Sequence, residues 1–218
     1  MLFRSKKRSI HDNFLYVKNL ATRLHKSKTP SLLFKLDIRK AFDSIRWDYI
    51  VDLLQRRGFP SKFQDWLTVL FSTSSSCILL NGVAGLPIPH GRGLRQGDPL
   101  SPLIFVIAIN PLQKILEMAT RIGLLSKIRR RGTILRTSLY ADDAAIFVAP
   151  IKEDIQNLTE ILREFGIVTG LCTNLQKSSV APIRCNQIDL DDLLDGLPVV
   201  RTTFPMRYLG LPLSIWRL

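Results

Sequence analysis

The amino-acid sequence predicts an α+β fold, an antiparallel sheet flanked by helices. Three observations carry that prediction. Apolar residues recur at helical spacing in several separate stretches, short β-rich runs lie between them, and tight turn signals such as Asn81-Gly82 favour hairpins over long crossovers.

In chain order, Ile10, Phe14, Val17, Ala21 and Leu24 form the first helical stripe, with Ser9 as N-cap and Pro30 beyond its end. Residues 31–38 read as a buried strand running into polar residues. Trp47, Ile50, Val51 and Leu54 mark a helix stopped by Gly58-Phe59-Pro60. Phe63, Trp66, Leu67, Leu70 and Phe71 mark another, opened by Ser61 and Gln64 as a capping box. Residues 75–90 form a hairpin around Asn81-Gly82, and an apolar helix runs from about 99 to 120. Residues 133–140 and 144–149 are two strands joined by Ala141-Asp142-Asp143. Ile151, Ile155, Leu158, Leu162 and Phe165 make a further amphipathic helix. A strand at 178–183 and a short hairpin at 208–213 close the chain, with no internal repeat and no low-complexity linker.

Composition bounds the function. The 218 residues are 46% apolar and 22% charged, which excludes a disordered tail or a coiled coil and allows one to two domains. With 31 Lys+Arg against 18 Asp+Glu the net charge is +13, so the expected partner is polyanionic, a nucleic acid or a membrane surface. The longest uninterrupted apolar run, 103–109, has seven residues against the ~20 of a membrane span, so no transmembrane helix is expected. Cys77, Cys172 and Cys185 lack CxxC spacing; neither a disulfide framework nor a zinc site is expected, and a reducing compartment fits.

Residues 1–30 hold eight Lys/Arg against one acid, Asp12. Arg4-Ser-Lys6-Lys7-Arg8 reads as a nuclear signal or a phosphate-binding arm, the whole start as a mitochondrial transit peptide, or simply as a solvated basic face. A second basic cluster is Lys127-Ile-Arg129-Arg130-Arg131.

The chemistry begins with carboxylates. Asp37 ends one strand, and Asp142 and Asp143 lie between two others, although acids are poor strand residues. If these elements are neighbours, three carboxylates converge at one sheet end and repel. A divalent cation removes the conflict; Mg²⁺ favours hard oxygen ligands and bridges to substrate phosphates, and two such ions support in-line phosphoryl transfer. The plain alternative is an exposed acidic turn.

Tyr140-Ala-Asp-Asp143 resembles the YxDD box of reverse transcriptases. Phe34-Lys-Leu-Asp-Ile-Arg-Lys-Ala-Phe-Asp43 resembles the palm strand that carries their first aspartate, and Gly93-Leu-Arg-Gln-Gly-Asp-Pro-Leu-Ser-Pro102 resembles their GxxQGxxxSP segment. Thr169-Gly-Leu-Cys-Thr-Asn-Leu-Gln-Lys-Ser178 is similar to their later lysine-bearing segment. Phe204-Pro-Met-Arg-Tyr-Leu-Gly-Leu-Pro-Leu213 is similar to the closing hairpin of non-LTR (LINE-type) retrotransposon enzymes, plant ones especially. Five boxes in order are far more specific than a lone YxDD, and they cover nearly the whole chain.

The resemblance implies a right-hand polymerase palm, with fingers truncated and the thumb absent. It divides the chain into a basic N-terminal helix at 1–30, a remnant of fingers, and a palm with its closing hairpin at 31–218. It implies an RNA-directed DNA polymerase that adds dNTPs to a primer 3′-OH, using two Mg²⁺ ions (Mn²⁺ as a substitute), an RNA template and a DNA primer, with no membrane. Asp37 and Asp142 become principal metal ligands, with the Ile38 carbonyl, and Asp143 the third acid. Phe42 stands where the family places a steric gate against the 2′-hydroxyl; an ordinary core aromatic is the alternative. Arg95, Gln96 and Gly97 would meet the nucleotide and template. Tyr140 would support the turn and primer, and Lys177 would protonate pyrophosphate. Tyr208, Leu209 and Gly210 would form a primer-grip-like hairpin. Asp43 and Asp48 read as structural or solvated, and Asn110 stands where relatives often have an acid. The implied compartment is nucleus or cytoplasm, with mitochondrial import as the alternative. A catalytically silent nucleic-acid-binding remnant of a retrotransposon is the competing reading, and a membrane-surface basic protein a third. Phe42 and the alanine of Tyr-Ala-Asp-Asp disfavour an RNA-templated RNA polymerase.

Overall fold

The computed structural model describes residues 9–128, 136–140 and 143–216. Helix α1 (Ile10–Lys26) opens on a true capping box: Ser9 Oγ accepts from the Asp12 N–H, and the Asp12 carboxylate accepts from the Ser9 N–H. Strand β1 (Ser31–Asp37) follows, then the short α2 (Ala41–Ser44), α3 (Trp47–Arg56) and α4 (Ser61–Ser72). Strands β2 (Ser75–Ser76), β3 (Leu79–Leu80), β4 (Val83–Ala84) and β5 (Ile88–Pro89) build the expected hairpin, β2 pairing with β5 and β3 with β4. Its turn residues Asn81 and Gly82 have φ of 50° and 83°, as a two-residue turn matched to strand twist requires.

The long helix α5 (Ser101–Arg121) leads to β6 (Thr137–Tyr140) and β7 (Asp143–Val148). Helix α6 (Lys152–Thr169), strand β8 (Ser179–Ile183), the short α7 (Leu190–Leu193) and strand β9 (Val200–Arg201) come next. Strands β10 (Met206–Tyr208) and β11 (Leu211–Leu213) form the closing hairpin.

The main sheet has five strands in the order β6-β7-β1-β8-β9. β6, β7, β1 and β8 pair antiparallel in turn, as the expected antiparallel sheet requires, and β9 joins the edge parallel to β8. The chain between them crosses over through α7, which makes a parallel pair possible.

Both faces of the sheet are covered, which is why β1 reads as an almost continuous apolar run. Leu32, Phe34, Leu36, Ala144, Ile146 and Val148 point to one face and pack against α3, α5 and α6. Leu33, Ala145, Phe147 and Ala181 point to the other and pack against Phe14, Val17, Ala21 and Leu24 of α1 and Met206, Tyr208 and Leu213 of the closing hairpin. Along β1 this second face runs from buried Leu33 to half-buried Lys35 and Asp37, so its cover ends where the charged residues begin.

Three expectations are corrected. Ser61 and Gln64 form no capping box: Pro60 is the N-cap, without a side-chain bond, and Gln64 donates instead to the Phe59 carbonyl at 2.8 Å. The fixed φ of Pro60 starts the helix one residue early and leaves Ser61 inside the first turn. Asp143 lies in β7 rather than in a turn, because its backbone is in register with Tyr140 on one side and Asp37 on the other. That register overrides the poor strand propensity of an acid. Finally, α5 is long and apolar enough to cross a membrane, the one such helix among the described residues. Counting only uninterrupted runs missed it, because Asn110, Gln113 and Lys114 break the run without lowering the average enough. Nine of its side chains, including Phe105 and Leu112, are buried in the core.

Candidate active site

The register of β1 against β7 builds the site. Asp37 lies directly opposite Asp143, and directly opposed residues of an antiparallel pair share a face. Tyr140 lies opposite Asp143 on its other side, so Tyr140, Asp143 and Asp37 form a row across three strands. This is the second face, at the end its cover leaves open. Like charges directly opposed destabilise a sheet. Lys35, two residues before Asp37 and on the same face, offsets part of that cost with an ion pair to Asp143 at 3.7 Å. Asp142, Ala141 and the basic residues Arg129-Arg130-Arg131 and Arg4-Ser-Lys6-Lys7-Arg8 lie outside the described residues.

The backbone of Asp37 is clamped by the lysine-bearing segment. The Asp37 carbonyl accepts from the Asn174 N–H at 2.8 Å, and its N–H donates to Ser178 Oγ at 3.1 Å. The Arg39 N–H donates to the Cys172 carbonyl at 2.8 Å. These bonds turn Asp37 O and Arg39 N toward that segment, so the backbone groups of Ile38 point to the opposite side, toward β7. Continuing the β1–β8 register would set Lys177 opposite Asp37, but residues 175–177 leave the ladder as a turn. Lys177 is exposed there and makes no ion pair among the described residues.

The Gly93 loop is fastened beside Phe42. The Gly93 N–H donates to the Ile45 carbonyl at 2.8 Å, the Leu94 N–H to the Phe42 carbonyl at 2.6 Å, and Trp47 Nε1–H to the Gly93 carbonyl at 2.6 Å. Gly93 has φ +92°, and a Cβ there would stand 2.8 Å from the Asp43 carbonyl oxygen, so glycine is required. Phe42 is half-buried, one ring face stacked on Phe105 of α5 with centroids 4.7 Å apart. Arg95, Gln96 and Gly97 are exposed on the loop that follows. Asp43 is not drawn into the acid row, and Asp48 pairs with Arg46, whose guanidinium holds its carboxyl below the usual range.

The closing hairpin docks on the same face. Leu209 and Gly210 form its two-residue turn, with φ of 50° and 78°. Tyr208 is buried; its hydroxyl donates to Ser138 Oγ at 3.3 Å, and Ser138 donates to Asn13 Oδ1 at 3.0 Å. This chain ties the hairpin, β6 and α1 together. Burial, supported by the negative charge of Asp143 and opposed by the Ser138 bond, pushes the Tyr208 phenol from 10.0 to about 12. Burial lifts Tyr16 as far, and it dominates the same rise at Tyr49.

A phenol whose folded pKa is raised binds its proton more tightly in the native state. Stability is therefore full below pH 10.0 and is lost as the pH rises toward about 12. Thermal melts across this range are expected to show a steep alkaline fall, which the Tyr49→Phe and Tyr208→Phe variants flatten.

Two carboxylates opposed at the open end of a sheet face are hard-oxygen donors suited to a divalent cation. Among the described residues no group of three or more His, Cys, Asp or Glu side chains gathers anywhere. Lys35, Ser178, Ser74 and His90 were not singled out from the sequence. Only Lys35 left a signal, as a charge two residues from an acid in an otherwise apolar strand.

The family model described as reverse transcriptase (RNA-dependent DNA polymerase) matches residues 2–213. The chain belongs to the reverse transcriptase family. It is 33% identical over 208 residues to a retrovirus-related Pol polyprotein from a type-1 retrotransposable element R2 of Popillia japonica, covering 88% of this chain and 27% of that protein. It is 26% identical over 211 residues to the corresponding polyprotein of the type-2 element R2DM of Drosophila melanogaster, covering 92% and 19%. It is 29% identical over 172 residues to the transposon TX1 uncharacterized 149 kDa protein of Xenopus laevis, covering 79% and 13%. The reverse transcriptase chain thus spans 13% to 27% of these relatives, and its likeness to non-LTR retrotransposon polyproteins agrees with its motifs.

Proposed function

We propose that this chain carries the palm of an RNA-directed DNA polymerase that adds deoxynucleotides to a primer 3′-OH on an RNA template. The observation that carries the reading is the register placing Asp37 opposite Asp143 on the open end of a sheet face. Enzymes of the family generally use a divalent metal; here we assign two Mg²⁺ ions, with Mn²⁺ as a substitute. When bound, such ions activate the attacking hydroxyl and stabilise the departing pyrophosphate.

The chain's own residues do the rest. Asp37, Asp142 and the Ile38 carbonyl would hold the ions, with Asp143 as third acid at the primer end. Lys35 holds the Asp143 carboxylate in place through its ion pair. Arg95 and Gln96 meet the nucleotide and template, and the turn at Gly97 lets the backbone approach. The hairpin at Tyr208, Leu209 and Gly210, with Tyr140 beside it, supports the primer end. Lys177 offers a proton to pyrophosphate. Residues 1–30 are read as fingers sequence, and 31–218 as the palm. The +13 charge suits the phosphates of a template–primer hybrid, gripped by backbone and shape with affinity that falls as salt rises.

Phe42 is braced by Phe105, and we assign its ring the place beneath the sugar, where it excludes a 2′-hydroxyl. Primer extension with dNTPs and with NTPs tests the reading. The wild-type chain is expected to add dNTPs alone, and Phe42→Ala to admit NTPs at least about 10-fold better through loss of a steric clash. Unchanged discrimination in Phe42→Ala would remove the gate.

A further inference from the structure

Among the described residues, Arg95 has the one side chain of the 93–97 loop that itself makes a hydrogen bond. Its Nε–H donates to Ser74 Oγ at 3.2 Å. Ser74 is buried, 5% exposed, and its Oγ lies 2.9 Å from His90 Nδ1. The other ring nitrogen of His90, Nε2, lies 2.7 Å from Ser76 Oγ. The backbone repeats the tie, the His90 N–H donating to the Ser74 carbonyl at 2.9 Å.

A guanidinium only donates, so Ser74 Oγ accepts from Arg95. With the imidazole neutral and its proton on Nε2, Ser74 donates to Nδ1 and Nε2–H donates to Ser76. Every group of the relay then has a partner. The β2–β5 pairing is what brings Ser74 and His90 together, and residues 75–90 contain no Lys, Arg, Asp or Glu. The uncharged hairpin thus closes on a polar relay whose outer end is Arg95.

We propose that Ser74 and His90 are positioning residues that hold Arg95 as a preorganised phosphate clamp, an inference that rests on the polymerase function proposed above. The loop backbone is fixed separately by the Gly93 and Leu94 bonds to Ile45 and Phe42. The relay then fixes the Nε edge of the guanidinium. Its two terminal amino groups, without partners among the described residues, remain on an exposed side chain. Two parallel N–H donors match two phosphate oxygens, and fixing the side chain beforehand lowers the ordering cost of binding. The phosphate belongs to the incoming triphosphate or to the template strand, which offer the same chemistry.

Two measurements on the full chain test this. The first is the Arg95 Nε–H signal in ¹H–¹⁵N spectra without ligand, expected to be protected from exchange in the wild type and lost in His90→Phe and Ser74→Ala. An unchanged signal in both variants overturns the relay. The second is binding of a fluorescent dNTP and of a fluorescent RNA–DNA template–primer by anisotropy. Arg95→Ala is expected to weaken one of these by roughly 10-fold, and His90→Phe and Ser74→Ala by roughly 3-fold, in line with lost charge-assisted bonds. Weakening confined to the dNTP assigns the triphosphate; weakening confined to the hybrid assigns the template. The Arg95→Ala/His90→Phe double variant is expected to be no weaker than Arg95→Ala, whereas additive losses show that His90 does not act through Arg95 and overturn the proposal. If the wild type binds neither probe, the polymerase reading fails and the clamp with it, while the exchange signal still decides whether the relay exists.

Discussion

Replacing Asp37 with Asn is expected to abolish RNA-templated primer extension without weakening the fold. The loss should reach roughly 10³-fold, about 4 kcal/mol of transition-state stabilisation, because an amide neither carries the charge nor coordinates a divalent cation as a carboxylate does. The fold should not suffer, because Asp37 and Asp143 are directly opposed acids and removing one relieves repulsion. The backbone clamps on Asp37, from Asn174 and Ser178, do not involve its carboxylate and survive the change. Melting temperature should therefore stay level or rise in metal-free buffer. Added Mg²⁺ should stabilise the wild type by mass action and stabilise Asp37→Asn less. A fall in melting temperature together with unchanged extension would show that Asp37 is structural.

The second large effect lies outside the acids. Gly170→Ala is expected to cost about 2–4 kcal/mol, through a left-handed backbone and an overpacked contact together. Gly170 ends α6 at φ +82°, and a Cβ there would sit well inside van der Waals contact of the Ser44 carbonyl oxygen. That oxygen belongs to backbone, so it cannot swing away. The same junction is held by the Arg46 N–H on the Thr169 carbonyl at 2.9 Å. Displacing it shifts Cys172, Asn174 and Ser178, which clamp Arg39 and Asp37. Thermal denaturation should show a melting temperature lower by roughly 5–15 °C, and extension should fall even well below the melt. An unaltered melting temperature would mean that the junction has slack the close approach denies.

Much of this was legible in the sequence, and the parts that were not share a cause. The helices at Ile10, Trp47, Phe63 and Ile151 announced themselves by a periodic apolar stripe, although that of α4 buries only Leu67 and Phe71 and leaves Trp66 and Leu70 exposed. The strand ending at Asp37 and the hairpin at Asn81-Gly82 were equally plain, since a short apolar run and turn chemistry are local. The Asp37–Asp143 pairing could be stated only as a condition, because register is a property of two strands. Lys35 falls on the acid face only once that register is set. The parallel placement of β9 and the Ser74–His90–Arg95 relay depend on contacts between loops, for which no periodicity exists. Ser61 misled for the opposite reason: a local signal was present, and the neighbouring Pro60 outcompeted it.

The site residues divide the same way. Asp37, Asp143 and Tyr140 share one row, and Tyr208 docks on the same face. Lys177 follows Asp37 only through the backbone of its turn, because the ladder ends before it. Phe42 and Arg95 are joined through the bonds that hold the Gly93 loop to α2 and its flank, a link made by a glycine that no side chain could replace.

The most direct test of the central claim is primer extension by the intact chain on an RNA template with an annealed DNA primer, dNTPs and Mg²⁺, with Asp142→Asn run in parallel. The account predicts template-directed addition by the wild type, its loss on chelation of the metal, and no addition by Asp142→Asn at matched folding. Equal extension by wild type and Asp142→Asn, or none by a wild type that binds the hybrid, would contradict it.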